Sequence, residues 1–155
     1  KILFRFIGRF GNEIHEMFEK TSFKSSIQVI SYMPHNDSIA NLISSDALLL
    51  VVDESKESRE IVPGKVYEYI GVIKPIIAVG PVDGAVGRLI NQTKSGMIAH
   101  QTDINKIADI YKSYYDNWLK GNKEFSPDLA EITQYERKNN AKTLAGLLDN
   151  CLENV

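Results

Sequence analysis

Five short apolar runs, each followed by a segment with helical spacing, restrict this chain to a narrow set of folds. The most telling is Ala-Leu-Leu-Leu-Val-Val at residues 47–52, continuous and of strand length. A central parallel strand reads this way, because helices cover such a sheet from both sides. The other runs are residues 2–7, ending at Gly8, residues 26–32, which alternate in part through Ile27 and Val29, residues 75–79, and a short one at Gly96–Ala99. Between them, Asn12–Lys20 places Ile14, Met17 and Phe18 on one helical face. Pro34-His35-Asn36-Asp37 is turn chemistry, and Asp37 or Ser38 suits the cap of a helix over residues 39–44. Residues 84–93 turn Val86, Leu89 and Ile90 inward, and residues 103–119 carry Ile104, Ile107, Ala108, Tyr111 and Tyr115. Gly121-Asn122 and Ser126-Pro127 punctuate the next connection, and residues 133–153 read as a last helix striped by Ala141, Leu144, Leu148 and Leu152.

Strands alternating with helices predict an α/β fold: a Rossmann-like three-layer α/β/α sandwich around a parallel sheet. Right-handed crossovers then gather the loops that follow the strands along one edge, where ligands of such sheets bind. Those loops begin at Gly8, Tyr32, Asp53, Gly80 and about His100.

The 155 residues suit one domain, 1–155, with a real core. A net charge of −2 gives no electrostatic case for nucleic acid. The single cysteine, Cys151, rules out a disulfide framework within the chain, which makes a reducing cytoplasmic setting the default. No apolar run approaches the ~20 residues of a membrane span. His15, His35 and His100 stand too far apart for metal-ligand spacing and no Asp-x-Asp occurs, so no metal is expected. The chain opens directly in a strand pattern without methionine, which leads us to expect a piece of a longer protein.

The segment from Pro63 to Gly80 carries most of the functional information. It reads as a loop, a helix opened by Pro63-Gly64, a turn and a buried strand. Lys65 and Glu68, three apart, share one face, and Val66, Ile70 and Ile73 are expected to form the buried stripe. A helix N-terminus with a backbone N–H at glycine and a lysine suits a phosphate. A carboxylate one turn on suits the two hydroxyls of a ribose, since it accepts two hydrogen bonds at once. The plain alternative is a surface ion pair at helical spacing. Glu60 stands eight residues before Glu68 and either reaches a sugar hydroxyl or is a solvated loop carboxylate. His35 either borders a nucleobase, with Met33 and Pro34 offering backbone contacts, or faces water. Gly8 reads more readily as a turn than as a phosphate cradle, and neither the three-glycine dinucleotide fingerprint nor the Gly-Lys-Ser/Thr phosphate loop is present. Gly84 and Gly87 around Arg88 read as a tight helix entry, and the cluster Tyr111, Tyr114, Tyr115 and Trp118 as core or partner contact.

On Phe6-Ile7-Gly8, residues 29–35, Ser45-Asp46-Ala47-Leu48-Leu49-Leu50, Pro63-Gly64-Lys65-Val66-Tyr67-Glu68-Tyr69, Lys74-Pro75-Ile76, Gly96 and Tyr135-Glu136-Arg137, in this order, the chain resembles the C-terminal, donor-binding half of a group 1 glycosyltransferase, the retaining two-domain (GT-B) kind. The resemblance implies that Glu68 holds the donor ribose, that Gly64 and Lys65 behind Pro63 meet the diphosphate, and that Glu60 lies near the donor sugar as a catalytic-site carboxylate. Gly8, Met33 and His35 are the further candidates for bordering the donor. No glycine or phenylalanine follows Glu60, where the family pattern has them. The substrate implied is a nucleoside-diphosphate sugar, used without cofactor or metal in polysaccharide or glycoconjugate synthesis. The implied partner is the acceptor-binding N-terminal domain of the same protein, in the cytoplasm or at the cytoplasmic face of the membrane. The family's first strand and helix, with a Gly-Arg end and a lysine, and its acceptor domain are expected outside this chain, leaving the fragment inactive alone. Two other classes fit parts of the pattern. Asp53, ending an apolar strand, resembles the phosphorylated aspartate of a receiver domain, though the acidic pair after the first strand is lacking and Lys74 precedes its strand. A binding-only module is the third.

Overall fold

The computed structural model describes residues 2–55, 58–121 and 125–153. Lys56 and Glu57 of the polar stretch, and Asn122 among the breakers, lie outside them. The chain is α/β with parallel strands, and its internal contacts separate it into two compact units, residues 1–41 and 42–155.

In the first unit β1 (Phe4–Ile7) pairs in parallel with β2 (Ile27–Ile30), Phe4 opposite Ile27. Between them runs α1 (Asn12–Lys20), on the residues its spacing predicts. Phe18 of α1 lies against Phe6, ring centroids 4.8 Å apart, whereas Ile14 and Met17, expected on the same face, are exposed. The helix α2 (His35–Ser44), whose last three residues belong to the second unit, begins earlier than the predicted cap at Asp37 or Ser38. Pro34 tolerates a helix start, where its missing N–H costs nothing, and the Ser38 N–H donates to the Pro34 carbonyl at 3.0 Å. His35 therefore opens a helix instead of sitting in a loop.

The second unit carries β3 (Leu48–Val51), β4 (Ile76–Val79) and β5 (Gly96–Ala99), parallel and in the order β3-β4-β5. The middle strand of this ladder is β4, not the run at 47–52. Leu48 and Leu50 are buried, but Val51 is 59% exposed. The pleat sends Ile76 and Ala78 to one face and Ile77 to the other. On the first face they meet Val66 and Ile70 of α3 (Gly64–Gly71) and Val86, Leu89 and Ile90 of α4 (Ala85–Thr93). On the second, Ile77 and Ala99 meet Ile110 of α5 (Ile104–Leu119), with Tyr111 and Tyr114 half-buried around it. This unit thus stacks helix, sheet and helix, the Rossmann-like layering.

Ile73 departs from the expected stripe. The helix ends at Gly71, Ile73 takes a left-handed φ of 55°, and its side chain is 46% exposed. The last helix also starts later than predicted. A short α6 (Leu129–Thr133) closes in tight turns, Tyr135 N–H to Ile132 carbonyl at 3.0 Å and Glu136 to Thr133 at 3.2 Å, and α7 (Arg137–Glu153) follows. The break lets Tyr135 pack on the first-face core and bring its ring 5.8 Å from that of Tyr67. Among the described residues no helix is long and apolar enough to cross a membrane.

Candidate functional site

The C-terminal ends of β3, β4 and β5 share one edge, and three loops rise from it. The first covers residues 52–63. Its backbone continues the ladder for one residue, Val52 N–H to Val79 carbonyl at 2.9 Å, before turning away. Gly80 permits this approach: a Cβ on it would lie 2.8 Å from that of Val52, at a φ of 158°. Asp53 accepts from the Ser55 N–H at 3.3 Å, a local turn.

Glu54 then reaches over the end of β4 to the loop after β5. Its Oε1 lies 2.6 Å from His100 Nε2, and its other oxygen accepts from Gln101. His100 Nδ1 in turn lies 2.8 Å from Thr102 Oγ1. Further along, Ser58–Glu60 makes a 3-10 turn that packs against α4 (Ala85–Thr93). Arg59 pairs with both carboxylate oxygens of Asp83. Arg88 donates through Nη1 to the Asp83 carbonyl at 2.8 Å and through Nη2 to Glu60 Oε2 at 2.5 Å. Glycines allow two close backbone approaches here, Gly84 to the 58–60 turn and Gly87 to the loop that leads into α4. A Cβ on Gly84 would stand 3.0 Å from the Arg59 carbonyl, and one on Gly87 only 2.1 Å from the Val82 carbonyl.

Behind this turn α3 begins at the same edge. Pro63 is its N-cap, extended at φ −61° and ψ 141°, and offers no side-chain bond to the first turn. Gly64, Lys65 and Glu68 are exposed, while Val66 and Ile70 are buried. The helix therefore turns Lys65 and Glu68 away from the core. Tyr69 is partly buried beside them, and both burial and the Glu68 charge push its hydroxyl pKa above the ordinary 10.0.

The remaining predicted residues belong to the first unit. Gly8 ends β1 at a φ of 147°, which favours glycine, and its N–H donates to the Ile30 carbonyl at 3.0 Å. It borders a concavity of about 350 Å³ with His15, Phe18, Lys24 and Val29. The Arg9 guanidinium lies 5.6 Å from the Tyr32 ring centroid. Met33 is half-buried, its sulfur 3.4 Å from Asn41 Nδ2, and His35 is exposed. So Glu60, Pro63, Gly64, Lys65 and Glu68 occupy one unit, and Gly8, Met33 and His35 the other.

No protein-family model matches this chain, and no curated protein matches it either. The pairs Glu54–His100, Arg59–Asp83 and Glu60–Arg88 were not foreseen from sequence. Their only sequence signal is opposite charge on loops that follow neighbouring strands. Among the described residues no group of three or more His, Cys, Asp or Glu side chains is placed to hold a metal.

Proposed function

We propose that this chain is the donor-binding domain of a glycosyltransferase, and that it grips the nucleoside diphosphate of an activated sugar at the N-terminus of α3. One observation carries the reading. The first turn of α3 opens at the strand-end edge, and Lys65 and Glu68 both stand out from it into solvent while Val66 and Ile70 root the helix in the core. The partial positive charge of the helix N-terminus, its backbone N–H groups and the Lys65 ammonium favour a diphosphate together. The Glu68 carboxylate accepts from the two ribose hydroxyls. As the sugar leaves, charge builds on the departing diphosphate, and preorganised donors stabilise that charge more than they stabilise the ground state. Glu60, held by Arg88, is the carboxylate assigned to the donor sugar. The acceptor would be presented by a separate domain, and closure over the edge would exclude water.

The test is calorimetric titration of the full-length protein with UDP, GDP and ADP, alongside Glu68→Ala. We expect one nucleoside diphosphate to bind, and Glu68→Ala to weaken it by about 1.5–3 kcal/mol, the range for a hydrogen bond to a charged group. A flat response to all three, or an unchanged affinity in Glu68→Ala, refutes the reading.

A further inference from the structure

We propose that Arg88 is a positioning residue: it fixes the direction of the Glu60 carboxylate by locking the 58–60 turn to the loop after β4. The proposal rests on the donor-site reading above and adds to it a residue that the family resemblance did not single out.

Arg88 lies in the first turn of α4, where the helix backbone holds its Cα. One end of its guanidinium donates to the Asp83 carbonyl and the other to Glu60 Oε2, at 2.8 and 2.5 Å. A guanidinium is planar and rigid, so anchoring one nitrogen on a backbone oxygen dictates where the other points. Asp83 is itself held, because Arg59 takes its carboxylate. Arg59 is the chain neighbour of Glu60. The turn is therefore gripped twice, through the Glu60 side chain and through the residue before it. The near-contact of Gly84 with the Arg59 carbonyl brings the two backbones together without help from either ion pair.

Exposure argues that this arrangement orients more than it stabilises. The Arg88 side chain is 56% exposed and that of Glu60 70%, and pairs so open to water add little to folding. The hydrogen bond uses only Oε2 of Glu60. The second oxygen, Oε1, is left aimed by the first, as a site carboxylate has to be if it is to accept from a substrate hydroxyl at a set angle.

The experiment uses the full-length protein with UDP-glucose, UDP-N-acetylglucosamine and GDP-mannose as donors, reading nucleoside diphosphate release. Variants are Glu60→Gln, Arg88→Ala, the pair together, Arg88→Lys and Glu68→Ala. We expect Arg88→Ala to lower kcat about tenfold, as far as Glu60→Gln does, with the double variant no slower than either alone. Arg88→Lys keeps the charge but not the fork and should recover only part of the rate. The melting midpoint of Arg88→Ala should stay within about 2 °C of the parent, as for an exposed pair. Losses that multiply in the double variant, or a parental rate in Arg88→Ala, overturn the proposal. If Glu68→Ala alone loses activity, the donor site stands and the role of Arg88 falls. If no donor is turned over and no nucleoside diphosphate binds, both fall.

Discussion

Replacing Gly96 by alanine tests the packing beneath the site. Gly96 opens β5 opposite Ile76 of β4. A Cβ built there lies 2.0 Å from the Ile76 carbonyl oxygen and 2.7 Å from its carbon, whereas real Cβ contacts essentially never fall below 3.0 Å. The obstacle is main chain, which cannot rotate aside as a side chain can, so the two strands have to part by about 1 Å at this rung. Forced overpacking costs about 1–3 kcal/mol. The adjoining bond, Ile76 N–H to Ser95 carbonyl at 2.9 Å, is strained with it, adding about 1 kcal/mol. We therefore expect a loss of about 2–4 kcal/mol, a large part of the roughly 5–15 kcal/mol that holds a domain together. With a urea slope near 2 kcal/mol/M the unfolding midpoint, followed by far-UV circular dichroism, should fall by about 1–2 M. Gly146→Ala is the control. Nothing lies within 4 Å of its added methyl and it sits inside α7, so helix propensity should leave the midpoint unchanged or raise it. A Gly96→Ala midpoint equal to the parent's would refute the close approach of β4 and β5.

Two further outcomes follow from the same architecture. Burial raises the pKa of Tyr69, Tyr111 and Tyr114 above 10.0, with the Glu68 charge adding to the effect on Tyr69. Because the folded values exceed the unfolded ones, this stability is fully present below pH 10 and declines as pH rises through the folded values. Spectrophotometric titration should show these phenols ionising late in the folded protein, and replacing all three by phenylalanine should flatten the alkaline fall. Asp103 caps α5 by accepting from the Lys106 N–H at 3.0 Å. Asp103→Ala should cost about 0.5–2 kcal/mol in urea denaturation, and an unchanged midpoint would remove that cap from the account.

The parallel α/β character was legible because strand and helix write different periods into the chain. The run at 47–52 and the spacing of Val86, Leu89 and Ile90 announce their elements without tertiary information. The starts of α2 and α7 were less visible. Pro34 and His35 look like a turn until the Ser38 bond is seen, and nothing local marks the tight turns at Tyr135 and Glu136. Ile73 misled for a related reason: helical spacing carried on past a helix that had already stopped at Gly71. The placing of 47–52 as a flank of its ladder was illegible, since burial by helices and burial by strands leave the same apolar signature. At the site, the outward face of Lys65 and Glu68 could be read from the stripe Val66 and Ile70 make. The partners of Glu54, Arg59 and Glu60 could not, because each lies more than twenty residues away and meets its mate only through strand order.

The Glu54–His100 link joins loops from the two outer strands of the ladder across the tip of the middle one. Segments fastened to each other have fewer conformations to surrender when another molecule arrives. The entropy of fixing that rim is thus lost during folding instead of during association, which is the physical content of preorganisation. Whatever docks over β4 meets a rim already braced from side to side, and its affinity is spared the work of bracing it.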